Sequence, residues 1–206
     1  MEMLGISEIR TDNRVIPQLS IPDISEHYDR VLDIWRRREQ NGGFPGANEV
    51  DSERYVDDML HCVNHDFHDI LQIRSQYGKV NDDQTGGYLD IAVYAKTPSK
   101  LPVLYIVEAK EYDMNQGRAQ LYPQLRLCYR ANLKRKWKHP IYGVVTRANE
   151  WIFVRYDGRK WRESRSMFVV DVQDEKGIKA VTDATYGIIE MQATFVRPFV
   201  EKYKEE

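Results

Sequence analysis

Three charged side chains fall where apolar stretches of the chain ought to end. The segment Leu104–Asp113, LYIVEAKEYD, runs from apolar residues straight into Glu108 and Lys110. An earlier stretch, Gly86–Ala95 (GGYLDIAVYA), carries a single acid, Asp90. The connection Lys96–Lys100, KTPSK, has the length and residue types of a hairpin loop. A turn centred near Ser99 sets Asp90 across from Glu108, with Cβ atoms about 4.5–5.5 Å apart. Lys110 follows Glu108 by two and projects from the same face of the strand. Two carboxylates this close repel, raise a pKa and cost stability. A divalent cation resolves that conflict, since Mg²⁺ prefers oxygen ligands and takes one or two carboxylates plus water. An ammonium beside them orients or deprotonates a water and offsets developing negative charge. Together these groups suit hydrolysis of a phosphodiester. The competing reading is an Asp–Lys–Glu ion-pair cluster at a sheet end.

The elements that must position these groups are legible from hydrophobic spacing. Asp23–Gln40 reads as a helix, capped by Asp23 or Ser25, with Val31, Leu32 and Trp35 at helical intervals. Asn41–Gly46 (NGGFPG) stops it. A second helix is expected over Glu49–Val63, with Val56, Met59, Leu60 and Val63 as its apolar stripe and Glu49 and Glu53 sharing one face. Strands are expected at Asp69–Gly78, Gly86–Ala95 and Leu101–Lys110. A helix follows over Asn115–Lys136, with Pro123 expected to kink or break it. Further strands are expected at Ile141–Arg147, over Trp151–Trp161 with a turn at Asp157–Gly158, and at Ser166–Val172. Residues 1–22 read as an extended arm, and Thr182–Tyr203 as a helical tail interrupted near Pro198. The expected organisation is α/β: an N-terminal arm and helix packing on the core (1–47), the core itself (48–172) and a helical tail (173–206).

These elements and residues resemble the PD-(D/E)XK superfamily of restriction-endonuclease-like nucleases. The resemblance is carried by an acid-bearing helix, GYLDIAV, LYIVEAK, a helix with QGRAQ, and YGVVTRANEWIFV, within Asn48–Tyr156. It implies a restriction-endonuclease-like αβββαβ core, a central mixed sheet flanked by helices. It also implies hydrolysis of nucleic acid with Mg²⁺ (or Mn²⁺) as cofactor, DNA ranking ahead of RNA as substrate. Asp90 and Glu108 take the metal-binding positions, with the carbonyl of Ala109 as a further ligand and a helix acid, Glu49 ahead of Glu53, as another. Lys110 takes the water-positioning role and Gln120 the auxiliary one, with Gln116 and Gln124 one turn either side. Leu89 stands where the family often has proline before the Asp. The finer pattern, VEAK followed by QGRAQLYPQL, is similar to nuclease domains of fungal and oomycete genomes, some of them in Crinkler-type effectors. Dimerisation is common among relatives that make double-strand cuts, so a homodimer is admitted although no interface signature stands out. Two alternatives remain. In one, a catalytically inactive nuclease fold binds nucleic acid or a protein partner; in the other, an effector-like interaction domain docks through its tail.

Charge narrows how nucleic acid would be held. The 206 residues carry 30 Lys and Arg against 32 Asp and Glu, a formal net charge of -2, so no global basic field steers a polyanion. Local clusters must serve. Arg118, Gln124, Lys134, Arg135 and Lys136 on or after the third expected helix are the expected nucleic-acid contacts, and LKRKWK (Leu133–Lys138) is the leading phosphate-contacting stretch. Arg155, Arg159, Lys160, Arg162 and Arg165, interleaved with Trp151 and Trp161, form a second basic group. Cys62 and Cys128 lack metal spacing and are expected as reduced thiols. His61, His65 and His68 have a spacing that mimics a zinc pair only on a continuous helix, and Asn64 and Asp66 are expected to end it first. The N-terminus has acids where a signal peptide has basic residues, and no stretch approaches the length of a membrane span. The expectation is a soluble intracellular protein with no membrane partner, cytoplasm or nucleus left open.

Overall fold

The structure, a computed structural model, describes residues 9–17, 24–81, 86–96 and 102–204. In chain order these form β1 (Ile9–Thr11), α1 (Ser25–Gln40), α2 (Glu49–Val63), β2 (Leu71–Asn81), β3 (Gly86–Ala95) and β4 (Val103–Ala109). There follow α3 (Met114–Lys134), β5 (Ile141–Thr146), β6 (Glu150–Tyr156), β7 (Trp161–Glu163), β8 (Met167–Phe168) and α4 (Glu175–Lys204). The strands make one mixed sheet in the order β1-β7-β6-β5-β4-β3-β2, with β8 paired to the start of β6. The run α2, β2, β3, β4, α3, β5 has the α-β-β-β-α-β order expected from the sequence.

Strand β4 is the spine. It pairs antiparallel with β3 and parallel with β5, and all seven of its residues are buried. A parallel connection needs a crossover, and α3 supplies it. Strand alternation then splits the core into two layers. Tyr105 and Val107 face the layer of α1, α2 and α4, with Trp35, Tyr55 and Tyr186 among its fully buried side chains. Ile106 faces α3, against Leu121, Leu125 and Val145. Glu108 has the parity of Ile106, and Lys110 continues it, so both start from the α3 side.

Helix ends follow local chemistry. The side chain of Asn48 accepts the Asp51 N–H at 2.8 Å and starts α2, while Asp113 accepts from Asn115 and Gln116 and starts α3. Asp174 accepts the Gly177 N–H at 3.0 Å and starts α4 seven residues ahead of the expected Thr182. Ser25, expected to cap α1, is instead its first helical residue, Ile24 holds the cap position without a side-chain bond, and Asp23 lies outside the described residues.

Both helical prolines are absorbed. α3 runs through Pro123 and α4 through Pro198, where breaks were expected. Burial of Leu121, Tyr122 and Leu125 around the first, and of Val196 and Val200 around the second, holds the helix despite the missing N–H. The expected Ser166–Val172 strand shrinks to two residues because the chain turns toward the Asp174 cap. The tail is part of the core: Ile178, Tyr186, Ile189 and Val196 of α4 are fully buried. Of the expected arm, β1 pairs parallel with β7 and Val15 is buried, while residues 1–8 and 18–23 lie outside the described residues. The hairpin turn 97–101 does so too.

The histidine triplet does not form a metal face. α2 ends at Val63, a 3-10 turn covers Asn64–Phe67, and His61 instead lies 3.7 Å from Asp57. Both cysteines are free and buried, and burial pushes the Cys62 thiol up to about 11 and the Cys128 thiol up to about 12. No helix of the described residues is long and apolar enough to cross a membrane.

Candidate active site

The register of the β3–β4 pair brings the acids together. Ile91↔Val107, Ala92↔Ile106 and Val93↔Tyr105 are partners, and one more step along that register sets Asp90 across from Glu108. Asp90 Oδ2 accepts the Ala109 backbone N–H at 2.8 Å, so the carboxylate is fixed against the last residue of β4. Ala109 thus enters the site through its amide.

Across from this strand end lies the first turn of α2. Glu49, Glu53 and Asp90 each place a carboxylate oxygen within 4.8 Å of the other two. Spacing alone favours Glu49 over Glu53 as the helix ligand; the structure brings both to the site, because residues four apart stack on one face. Burial raises the pKa of Glu53, and the charges of Asp90 and Glu49 add to the rise. Burial likewise raises Asp90, with Glu49 adding to it and the Ala109 N–H and Lys110 opposing.

Glu108 stands beside this group and is bound differently. It is 2% exposed, its Oε1 lies 2.9 Å from Lys110 Nζ, and its Oε2 accepts from Gln124 Nε2 at 2.8 Å. Burial, then the charge of Asp90, pushes its carboxyl up to about 7 despite both donors. Lys110 Nζ also reaches Glu49 Oε1 at 3.4 Å. Burial acts to lower Lys110, but the bond to Glu108 and the charges of Glu108, Asp90 and Glu49 outweigh it, so its pKa is raised. Four carboxyl groups therefore face one ammonium.

Gly117 sets how closely α3 approaches. A Cβ there would lie 2.5 Å from Val145 Cγ1 and 2.9 Å from Lys110 Cγ, so only hydrogen fits. The start of α3 consequently sits over Lys110, and the start of α2 carries Glu49. Two helix N-termini, each with partial positive charge, converge on the place where the parallel pair β4 and β5 ends.

Arg147, just past β5, ties the rim together. Its carbonyl accepts from Ser52 Oγ at 3.1 Å and packs against Gly46, whose added Cβ would sit 2.9 Å from it. Its guanidinium donates to the Tyr112 carbonyl and to Asn149 Oδ1, each at 3.4 Å. Nothing in residue spacing singled it out, since its contacts come from segments far apart in the chain.

Several expected site residues sit elsewhere. Gln120 is exposed, and Gln124 is the helix glutamine that reaches Glu108. The buried stripe of α3 runs through Gly117, Leu121, Leu125 and Cys128, and Gln124 lies nearer its centre than Gln120 does. Arg118 lies 3.2 Å from the buried Glu163 and donates to Asn115, so its guanidinium serves the fold. Lys134, Arg135 and Lys136 are exposed, but they lie at the far end of α3. Asn132, just before them, bonds both the N–H and C=O of Val103, where β4 begins. From there to Glu108 is about 17 Å along the strand. The basic stretch and the acids occupy opposite ends of the sheet.

No protein-family model, curated protein or solved structure matches this chain.

Proposed function

We propose that this chain is a divalent-metal-dependent nuclease of PD-(D/E)XK type that hydrolyses phosphodiester bonds. The observation that carries this reading is the convergence of Glu49, Glu53 and Asp90 within 4.8 Å of one another, beside the Lys110 ammonium. Three carboxyls, two of them with pKa values raised by burial and further by one another's charge, are poorly placed as a structural cluster. They suit a hard cation that takes oxygen ligands. Bound Mg²⁺ or Mn²⁺ would polarise a phosphate oxygen and acidify a water.

The chain's own groups divide the remaining work. Glu49, Glu53 and Asp90 hold the cation. Lys110, whose pKa is raised, stays an ammonium and acts through charge: it faces the scissile phosphate and orients water. General-base use of Lys110 would need the opposite shift. Glu108 and Gln124 hold Lys110 in place. The N-termini of α2 and α3, with Arg147 on the rim, favour the approach of a phosphate to an otherwise acidic site.

A cleavage panel of plasmid, single-stranded DNA and RNA, with Mg²⁺ or Mn²⁺ and with EDTA, tests the proposal. Cleavage that needs the metal and vanishes in Lys110→Ala and Asp90→Asn supports it. No cleavage of any substrate under either metal overturns it in favour of a binding module that has kept the fold without turnover.

A further inference from the structure

We propose that the end of the molecule opposite the acids binds single-stranded nucleic acid, through exposed rings on α4 and the basic stretch after α3. Trp137 and His139 in that stretch pack against Phe199 and Phe195 of α4, with ring centroids 5.1 and 4.6 Å apart. Trp137 and His139 also contact each other at 4.6 Å, so the four rings form one cluster. The inner ring, Trp137, is 7% exposed, whereas Phe195 and Phe199 are 39% and 48% exposed. Among the described residues, Phe195 and Phe199 are the large apolar side chains that α4 leaves exposed, and rings of this size left in water mark a contact surface.

The charge beside them selects the partner. Lys134, Lys136 and Lys138 are exposed and alternate with the ring-bearing positions 137 and 139. Lys136 has φ 63, a left-handed turn just past the end of α3, so Lys136 and Lys138 lie in the loop that leaves the helix and Lys134 in its last turn. Flat exposed rings next to a short row of ammonium groups are what an unpaired strand needs: bases stack on the rings, and phosphates pair with the lysines. A duplex hides its base faces and would use the lysines alone. DNA and RNA share this chemistry, and both serve as probes.

The Trp137 backbone N–H donates to the Asn132 carbonyl, and Asn132 holds Val103, which lies about 17 Å along β4 from Glu108, so this stretch sits away from the scissile phosphate. Its role toward the proposed nuclease is to retain a strand whose cut site is elsewhere. That role rests on the nuclease reading, but the binding itself does not, and the test separates them.

Fluorescence anisotropy is measured on the full chain in EDTA, with labelled single-stranded DNA, single-stranded RNA and a DNA duplex, across a salt series. Phe195→Ala and Phe199→Ala each weaken single-strand binding at least about fivefold, with the salt slope and duplex binding unchanged. Replacing Lys134, Lys136 and Lys138 by Ala lowers the salt slope for a single strand by about 2. This second variant keeps all four rings, so its result stands even if the phenylalanine variants lose stability. Unaltered binding in both variant sets, duplex binding as tight as single-strand binding, or a preference for phosphatidylserine vesicles over either strand each overturns the proposal. Cleavage that depends on Asp90 with unaltered patch variants would overturn this inference alone; strand binding through the patch without metal-dependent cleavage would overturn the nuclease reading alone.

Discussion

Glu108 gives the sharpest thermodynamic test, because its burial and its pKa point the same way. The side chain is 2% exposed and its carboxyl is pushed up to about 7 from 4.5. A group whose pKa is higher folded than unfolded contributes stability that is fully present below the unfolded value. That contribution is lost as pH rises through the folded value. Each pKa unit is about 1.4 kcal/mol, so between about pH 5 and about pH 8 the metal-free protein loses about 2–3 kcal/mol through this one residue. Glu108→Gln keeps the shape and removes the titration. It also leaves Lys110, 2.9 Å away, with Glu49 as its remaining carboxylate partner, so the variant's absolute stability can fall at both pH values. The diagnostic quantity is therefore a difference of differences. Urea unfolding in EDTA at the two pH values should show the wild type losing about 2–3 kcal/mol more than the variant on going to the higher pH. Parallel pH profiles, within about 0.5 kcal/mol, would refute the assignment of a strained buried carboxyl.

Other outcomes follow from the same geometry. Lys110→Ala should reduce metal-dependent cleavage at least about 100-fold, as loss of a transition-state charge does, while circular dichroism and metal affinity stay near wild type; retained cleavage would remove Lys110 from the mechanism. Gly117→Ala should destabilise by about 1–3 kcal/mol through overpacking against Val145 and Lys110, measured by thermal melting, and a neutral result would mean that α3 sits farther from the sheet. Metal affinity measured by calorimetry should fall on acidification, and at a higher pH than ordinary carboxylate ligands allow, since burial and neighbouring acids raise Asp90 and Glu53 and let protons compete with the cation; affinity independent of pH would exclude these acids as ligands. Saturating Mn²⁺, at about 100 times its dissociation constant, should stabilise the wild type by about 2.7 kcal/mol and Glu53→Gln by markedly less.

The frame of the site was legible because it depends on short-range patterns. The apolar run ending at Glu108 and the alternation through Asp90 predict a hairpin, and the hairpin dictates which acids are opposed. The bounds expected for α2, Glu49–Val63, are those observed, since Asn48 caps one end and a polar run closes the other. What spacing could not convey is rotation and reach. Gln120 and Gln124 differ by one helical turn, and only the packing angle of α3 decides which one meets Glu108. Whether Glu49 and Glu53 exclude or join each other depends on how α2 lies across the strand end. Arg147 owes its place to Ser52, Gly46 and Tyr112, contacts that close only in three dimensions. The basic stretch 134–138 follows the site in sequence along one helix, yet a helix of 21 residues carries it about 30 Å away from where that helix starts. Pro123 and Pro198 show the same limit, because tertiary burial overrides their local penalty.

The central claim is that Glu49, Glu53 and Asp90 share one cation while Glu108 stays with Lys110 and Gln124. Crystals grown with Mn²⁺ and measured at the manganese edge would locate the ion directly. The account predicts a single anomalous peak about 2.0–2.3 Å from oxygens of Glu49, Glu53 and Asp90. No peak at this strand end, or a peak bridging Asp90 and Glu108 with the two α2 glutamates turned away, would contradict it.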